Sequence, residues 1–338
     1  DRAKKRRNIV LSLMVQHGKI TEANAKEAKA EDITAGLIPE EQRVANLETK
    51  YPAFLDVVIS ELEENGDGEL MAEGIKVYTT LDPQAQTIVE NMMNNDSNFS
   101  TEKIEAGVAV LDTKTGEIRA IGGGRHYTAF NYNYAYDNQS RSPGSTIKPL
   151  IDYGPAIEYL NWSTGETLVD EPITYTGSKQ VITNWDSNYL GTMTAREALY
   201  ASRNIPAVKA FKEVGADRAQ QFLSNLGIKT DHLVESDAIG GGRVTMSPIQ
   251  MAASYAAFGN NGSYHDGHSV LKIVFRDGKT SKSYKSESKI AMSDYTAYMV
   301  TDMLRDVVSN KRNASAPRAA VAGVDIAGKT GTTNYSSD

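Results

Sequence analysis

The chain has no cysteine, so a disulfide, a thiol nucleophile and a thiolate metal site are all excluded, and the redox compartment stays open. It has no apolar run near the roughly 18 residues a membrane span needs, and no signal-peptide core follows the basic start Asp1-Arg2-Ala3-Lys4-Lys5-Arg6-Arg7. Repeats and low-complexity tracts are absent as well. A basic excess is also missing: 36 basic against 43 acidic side chains leave a charge of −7, which argues against nucleic acid as a main partner. Histidine is scarce, and of His17, His126, His232, His265 and His268 only the last two are neighbours. Separated by Asp266-Gly267, they read as a polar turn rather than metal ligands. Gly122-Gly123-Gly124 and Gly240-Gly241-Gly242 lack the Gly-Lys-Ser/Thr ending of a phosphate loop and read as bends. No metal or other cofactor is expected. What is present is a globular composition, 40% hydrophobic and 23% charged, over 338 residues, enough for about two domains.

Arg2 to His17 has a helical pattern ending at Gly18, and it starts without a cap, as though continuing an earlier segment. Thr21 can cap a second helix to Ala30, followed by a polar, linker-like stretch to Arg43. Lys4 to Arg7 read as a solvated helix face, with anionic lipid as the alternative. Tyr51 to Glu64 is helical in pattern, Ile75 to Leu81 alternates like a strand, and Asp82-Pro83 supplies an N-cap and first helical position. Val108–Leu111 with Ile118–Ile121, and Val270–Phe275 with Thr280–Tyr284, read as hairpins. Helical patterns occupy about 145–160, 193–201, 205–214, 217–226, 247–258 and 293–309, and Val324 to Thr333 reads as a final strand. The tyrosine-rich stretch Tyr127 to Tyr136 reads as a surface loop over a cleft entrance.

Ser145-Thr146-Ile147-Lys148 has the Ser-x-x-Lys form, which on a helix sets the lysine one turn beyond the serine, with Cβ atoms about 5–6 Å apart. A lysine kept neutral by burial or by nearby cations can take the serine proton during attack on a carbonyl. The same spacing at Ser100…Lys103, Ser269…Lys272 and Ser286…Lys289 falls in polar or strand-like stretches and reads as coincidence. Ser145 differs because Pro143-Gly144 sets it at a helix start, where free N–H groups favour developing negative charge. Ser202-Arg203-Asn204 lies between two helical runs, either as a plain polar loop or with Ser202 relaying a proton and Asn204 orienting Lys148 and holding a substrate amide. Lys114-Thr115-Gly116 suits a hairpin turn. Lys329-Thr330-Gly331 lies in the expected last strand, where glycine lets a substrate backbone pair as an added strand. There Lys329 supplies charge for a carboxylate, and the hydroxyls of Thr330 and Thr332 can add hydrogen bonds.

These three motifs, in this order, occur in β-lactamases and penicillin-binding proteins. The chain resembles the transpeptidase part of a class A penicillin-binding protein of Gram-positive type, nearly end to end. Gly74 to Gln84 resembles the family's entry to that domain, and Ser142 to Pro149, Ser202 to Ala207 and Gly328 to Thr333 its active-site motifs. The resemblance implies an α/β (α+β) fold of the penicillin-binding, serine β-lactamase-like kind, an antiparallel sheet with helices on both faces plus a helical subdomain. It implies that residues 1–30 are the tail of a glycosyltransferase domain, 31–75 an interdomain linker and 76–338 the transpeptidase domain. Ser145 would attack the penultimate D-Ala carbonyl of a peptidoglycan stem peptide, with Lys148 as base. An amine of a neighbouring stem would then take the acyl group. The N–H groups of Ser145 and Thr332 would form the oxyanion hole, and Trp185 would line the cleft or serve packing. Stem peptides and β-lactams are the implied partners, together with the rest of the same polypeptide, at the extracytoplasmic face of the cell membrane. Membrane contact would come only through an anchor outside this chain.

Against the family pattern, two more strands and a terminal helix should follow Asp338, so the chain reads as a fragment that should not be stable and active alone. Other uses of such a serine are a D,D-carboxypeptidase, with water in place of the amine, and a β-lactam receptor or scaffold without turnover. A β-lactamase would need a deacylating base, and none is identifiable.

Overall fold

A computed structural model describes residues 2–32, 50–137, 141–309 and 312–333, which fall into two compact units, Asp1–Lys50 and Tyr51–Asp338. In the first, α1 (Arg2–Gln16) and α2 (Glu22–Ala30) form a helical pair. Gly18 turns the chain at φ 64°, and Thr21 Oγ1 accepts the Asn24 N–H as the expected cap. The Arg7 guanidinium donates to the carbonyls of Lys29 and Glu31 at 2.9 and 2.8 Å, closing the pair. Lys4, Lys5 and Arg6 are exposed, as a solvated face requires.

The stretch expected as linker lies outside the described residues from 33 to 49. From Tyr51 on, the chain belongs to the second unit. Its first helix, α3 (Pro52–Glu64), opens with proline in the first turn and buries Phe54, Val57 and Leu62. β1 (Lys76–Thr79) leads into α4 (Pro83–Met93), capped by Asp82, whose carboxylate accepts the N–H groups of Gln84 and Ala85. β2 (Val108–Leu111) and β3 (Ile118–Gly122) pair antiparallel around the Lys114-Thr115-Gly116 turn, with Gly116 at φ 75°. Beyond Ser145 come α5 (Gly154–Leu160), β4 (Thr167–Asp170), β5 (Ile173–Thr174), β6 (Val181–Ile182) and β7 (Gly191–Thr194). The helices α6 (Ala195–Tyr200), α7 (Asn204–Val214), α8 (Ala216–Asn225) and α9 (Pro248–Phe258) follow. β8 (Ser263–His265), β9 (Val270–Val274), β10 (Ser281–Ser283) and β11 (Ser288–Ile290) precede the last helix, α10 (Asp294–Val308).

β1, β9 and β10 make an antiparallel sheet in the order β1-β9-β10, so the hairpin expected at Asp277-Gly278 is present. The sheet continues toward the β2–β3 hairpin through Ile118 N–H to His268 O and Thr80 Oγ1 to Ile118 O, at 2.8 and 2.6 Å. Successive strand residues face opposite ways. Ala120 accordingly packs on Val89 and Met93 of α4, while Ile121 packs with Phe54 and Val57 of α3. Helices thus cover both faces. A second, larger core, built from Leu150, Ile151, Ala207, Phe222, Val300 and Met303, holds the helical body.

Three expectations are corrected. The run expected as one helix over 145–160 is a 3₁₀ turn (Gly144–Ile147), a π-helical turn (Pro149–Tyr153) and α5. Pro149 has no N–H to give an α-helical ladder, and Gly154, where a Cβ would meet Pro149 O at 2.5 Å, closes the wider turn by donating to that carbonyl. Residues 324–333 form no strand: a ladder needs a neighbour, and none runs beside them among the described residues. Asp338 itself lies outside the described residues. Tyr127 and Tyr136 donate to Asp56 and Glu64, so the tyrosine-rich stretch is anchored to α3 rather than spread over a cleft. Among the described residues no helix is long and apolar enough to cross a membrane.

Candidate active site

The nucleophile candidate sits where three backbones meet. Gly144 has φ 53°, open to glycine at little cost, and a Cβ there would stand 2.5 Å from Thr332 O. A Cβ on Gly240 would lie 2.4 Å from the Gly144 Cα, and one on Gly331 would lie 2.8 Å from Pro143 O. The three glycines let Gly331-Thr332 and the Gly240 bend close directly on the Pro143-Gly144 turn. Ser142 Oγ ties the contact, donating to Gly240 O at 2.8 Å and accepting Gly144 N–H at 3.1 Å. Tyr255, from α9, donates to Thr146 O at 2.6 Å. Ser145 follows at the start of the 3₁₀ turn with Thr332 beside it. Among the described residues, no hydrogen bond takes the backbone N–H of Ser145 or Thr332.

Lys148 is fully buried, and its Nζ donates to Ser202 O at 2.8 Å, Arg203 O at 3.1 Å and Asn204 Oδ1 at 2.8 Å, with Ser202 Oγ at 3.5 Å. Lys329 Nζ reaches the same hydroxyl, donating to Ser202 Oγ at 2.8 Å and to Thr330 O at 2.9 Å. Residues from three distant motifs therefore converge: Lys148 and Lys329 meet at Ser202, while Asn204 and Ser145 stand on either side of Lys148 in the chain path. Ser145 Oγ is not among the partners of Lys148. An ammonium has three N–H donors, and the two carbonyls and Asn204 Oδ1 use all three. A neutral amine has two, so deprotonation frees a lone pair and one contact.

Burial and then the Lys329 cation hold Lys148 well below the ordinary lysine value, with Asp152 pulling it back up and Arg203 down. Burial alone brings Lys329 down to about 7. Asp152 is also fully buried, and neither of its carboxyl oxygens finds a hydrogen-bond partner among the described residues. Burial pushes that carboxyl well above the usual carboxylate range, opposed only by Lys148. One buried cation that tends to lose its proton and one buried acid that tends to keep it thus share the π-helical segment and its entry.

The other expected residues stand near this centre in different ways. Thr330 Oγ1 donates to Ser315 Oγ at 3.1 Å, so its hydroxyl is engaged inside the protein. Trp185 is 70% exposed, and its indole N–H donates to Ala201 O, the carbonyl before Ser202, at 3.2 Å. Packing is therefore not what Trp185 does; it is a solvent-facing ring beside the Ser202 turn. The rival serines differ in setting: Ser269 is fully buried and donates to Glu61 Oε2 at 2.6 Å, and Ser286 Oγ is turned to Asp266 O. Sequence reasoning missed Arg203 as a support, Asp152 and Gly240. The partners of Arg203 and Gly240 lie far off in sequence, so no local pattern marks them. No group of three or more His, Asp or Glu side chains is arranged to hold a metal among the described residues.

The arrangement suits acyl transfer. It offers a serine at a turn with free backbone N–H groups, a buried lysine held by a Ser-x-Asn turn, and a second lysine on an open extended segment. Residues 106–338 match the penicillin binding protein transpeptidase domain family. The chain is 45% identical over 340 residues to penicillin-binding protein 1A/1B of Bacillus subtilis, covering 99% of this chain and 36% of that protein. It is 35% identical to penicillin-binding protein 1A of Streptococcus pneumoniae, covering all of this chain and 48% of that one. The chain therefore spans between a third and a half of these relatives' length. Its fold is similar to that of penicillin-binding protein 1A from Haemophilus influenzae, with a TM-score of 0.71 at 20% identity over 98% of this chain and 69% of that one. Penicillin-binding protein 3 from Mycobacterium tuberculosis, complexed with aztreonam, aligns at 25% identity and a TM-score of 0.65 over 76% of this chain and 64% of that one. On the motif residues gathered at Ser202 and on these matches, the chain belongs to the transpeptidase family of the penicillin-binding proteins.

Proposed function

We propose that this chain carries the acyl-transfer site of a peptidoglycan D,D-transpeptidase within a class A, bifunctional cell-wall synthase acting at the outer face of the cell membrane. In this reading residues 1–30 end a glycosyltransferase domain, 31–75 link it, with α3 packed into the core of the second unit, and 76–338 perform the cross-linking. The observation that carries the proposal is the meeting of Lys148 and Lys329 on the Ser202 hydroxyl, with Thr332 packed on the turn that bears Ser145.

The chemistry follows from the donors and acceptors. Lys148, as a neutral amine, takes the Ser145 hydroxyl proton while Oγ bonds to the penultimate D-Ala carbonyl carbon. The carbonyl oxygen gains negative charge beside the free N–H groups of Ser145 and Thr332. As the C–N bond breaks, the proton on Lys148 passes through the Ser202 hydroxyl to the leaving terminal D-Ala amine. Lys329 holds the terminal carboxylate, and the peptide backbone lies along the segment after it, which Gly331 lets close on Pro143 O. An amine from a second stem then attacks the Ser145 ester and loses its proton to Lys148, which passes it to Ser145 Oγ as the ester C–O bond breaks, leaving an amide cross-link and a regenerated serine. β-Lactams, which present an amide carbonyl and a carboxylate in one molecule, enter the same site.

Incubating the protein with a D-Ala-D-Ala peptide tests this, with and without an added amine. The expected result is an amide product in which the amine replaces terminal D-Ala. Hydrolysis alone would make it a carboxypeptidase, and no product would make it a receptor or scaffold.

A further inference from the structure

Ser202 adopts φ 53°, a left-handed conformation that L residues other than asparagine and aspartate seldom hold without help. Part of the help is the close of α6, where the Ser202 N–H donates to Leu199 O and the Arg203 N–H to Ala198 O, and the rest comes from the Arg203 side chain. Arg203 is 1% exposed, and its Nε donates to Asp170 Oδ2 at 2.8 Å while Nη1 donates to both carboxylate oxygens of Asp186 at 3.0 Å. Its Nη2 donates to Asn188 O. Asp170, itself 1% exposed, also accepts the Asn184 side-chain amide at 2.8 Å and the Leu190 N–H at 3.1 Å. Asn184 in turn accepts the Asn204 N–H at 2.9 Å. Arg203 directly, and Asn204 through Asn184, are thus tied to one buried carboxylate at the end of β4.

We propose that Arg203, clamped between Asp170 and Asp186, is a positioning residue that holds Ser202 in its left-handed turn and thereby aims the Ser202 hydroxyl and carbonyl at Lys148 and Lys329. The proposal rests on the acyl-transfer reading above and adds to it a part played by residues outside the three motifs. Its logic is geometric. The peptide between Ser202 and Arg203 supplies one acceptor to Lys148, Ser202 O, and the Arg203 carbonyl supplies a second. Rotating that peptide to a relaxed conformation would withdraw the first acceptor and swing Oγ from Lys329. A buried guanidinium with donors spent on two carboxylates and a carbonyl resists that rotation, because it would leave charged groups buried and unpaired. Lysine at this position could satisfy one acceptor and not the fork.

Asp186 sits at the wetter edge of the clamp, its side chain 22% exposed, so Asp186→Ala loosens the clamp with the least risk to folding. Arg203→Lys is the stronger variant of the same test. Two readouts decide. In the first, benzylpenicillin acylation is measured for Asp186→Ala with Ser202 present and in a Ser202→Ala background. Residues acting through one another give non-additive losses, so a slowing of about 10-fold is expected with Ser202 present and of less than about 2-fold without it. Equal losses in the two backgrounds, or no loss in either, overturn the proposal, since a merely structural support would cost the same in both. In the second, amide hydrogen exchange is followed at Ser202 and Arg203, whose N–H groups donate to Leu199 O and Ala198 O. Asp186→Ala should speed exchange there by about 10-fold and leave the β2–β3 hairpin unchanged, as local opening does. Unchanged exchange at Ser202 overturns the proposal. This readout needs no activity, so a native protein that takes up no penicillin counts against the acyl-transfer reading and leaves the clamp to be judged by exchange.

Discussion

At Lys148 the cost of burying a cation is set against three acceptors that favour it. Burial and the nearby Lys329 cation win, so Lys148 gives up its proton more readily than an exposed lysine does. Lys148→Ala removes the proposed proton acceptor while leaving Ser145, Thr332 and Lys329 in place. Benzylpenicillin acylation should fall by about 10²–10⁴-fold, the usual worth of a positioned base. Stopped-flow or gel-based acylation kinetics check this, and a loss under about 10-fold would move the base to Ser202 or Lys329. The motif residues were legible in sequence because each motif is short and its chemistry is local. Ser145, Lys148, Ser202, Asn204 and Lys329 could be picked out; the structure brings Lys148, Asn204 and Lys329 together at the Ser202 turn and sets Ser145 three residues before Lys148. Arg203, Asp152 and Gly240 were not legible as parts of the site. Arg203 finds its carboxylates 33 and 17 residues away, and Gly240 matters only through its contact with Gly144. No local pattern announces such partners.

The elements that were readable share a chemical signature at their ends. Asp82, Thr21 and the Asp277-Gly278 turn announce themselves by residue type, and the caps and hairpin follow. The short β4–β7 pair carried no such mark, and its value lies in tertiary placement, since β4 ends on Asp170 and β7 leads into α6. The π-helical turn after Lys148 was hidden because a proline–glycine spacing of five residues looks, in a window of apolar residues, like one more helix. At this scale the stability of α6 is open to a direct test. Thr194 and Glu197 form a capping box at its start, ahead of the Ser202 turn. Thr194→Ala should cost about 1 kcal/mol of unfolding free energy, measured in denaturant. A cost below about 0.3 kcal/mol would mean the helix is held by packing alone.

Across the whole second unit the buried titratable groups set a pH dependence with a definite sign. Lys329 is about 7 when folded and near 10.5 when unfolded, and Lys148 is lowered in the same sense. Between those values the unfolded chain binds more protons, so stability rises with pH across that window. Asp152 acts in the opposite sense, losing stability as pH climbs from its unfolded value near 3.8 through its raised folded value. Above about pH 10 the raised tyrosines Tyr127, Tyr136 and Tyr284 oppose further gain, because they ionise first in the unfolded chain. The melting temperature should therefore rise from pH 7 toward pH 10 by more in the native protein than in Lys329→Met, which lacks one of the two lowered lysines. Equal slopes would contradict the burial of that ammonium.

In the proposed acyl transfer Ser145, and no other serine, carries the acyl group. Ser100, Ser269 and Ser286 share its spacing to a lysine but not its setting. Peptide mapping by mass spectrometry after benzylpenicillin treatment, on the native protein and on Ser145→Ala, tests it directly. One adduct is expected, on the peptide containing Ser145, and none in Ser145→Ala; an adduct on another serine, or one that persists in the variant, overturns the assignment of Ser145.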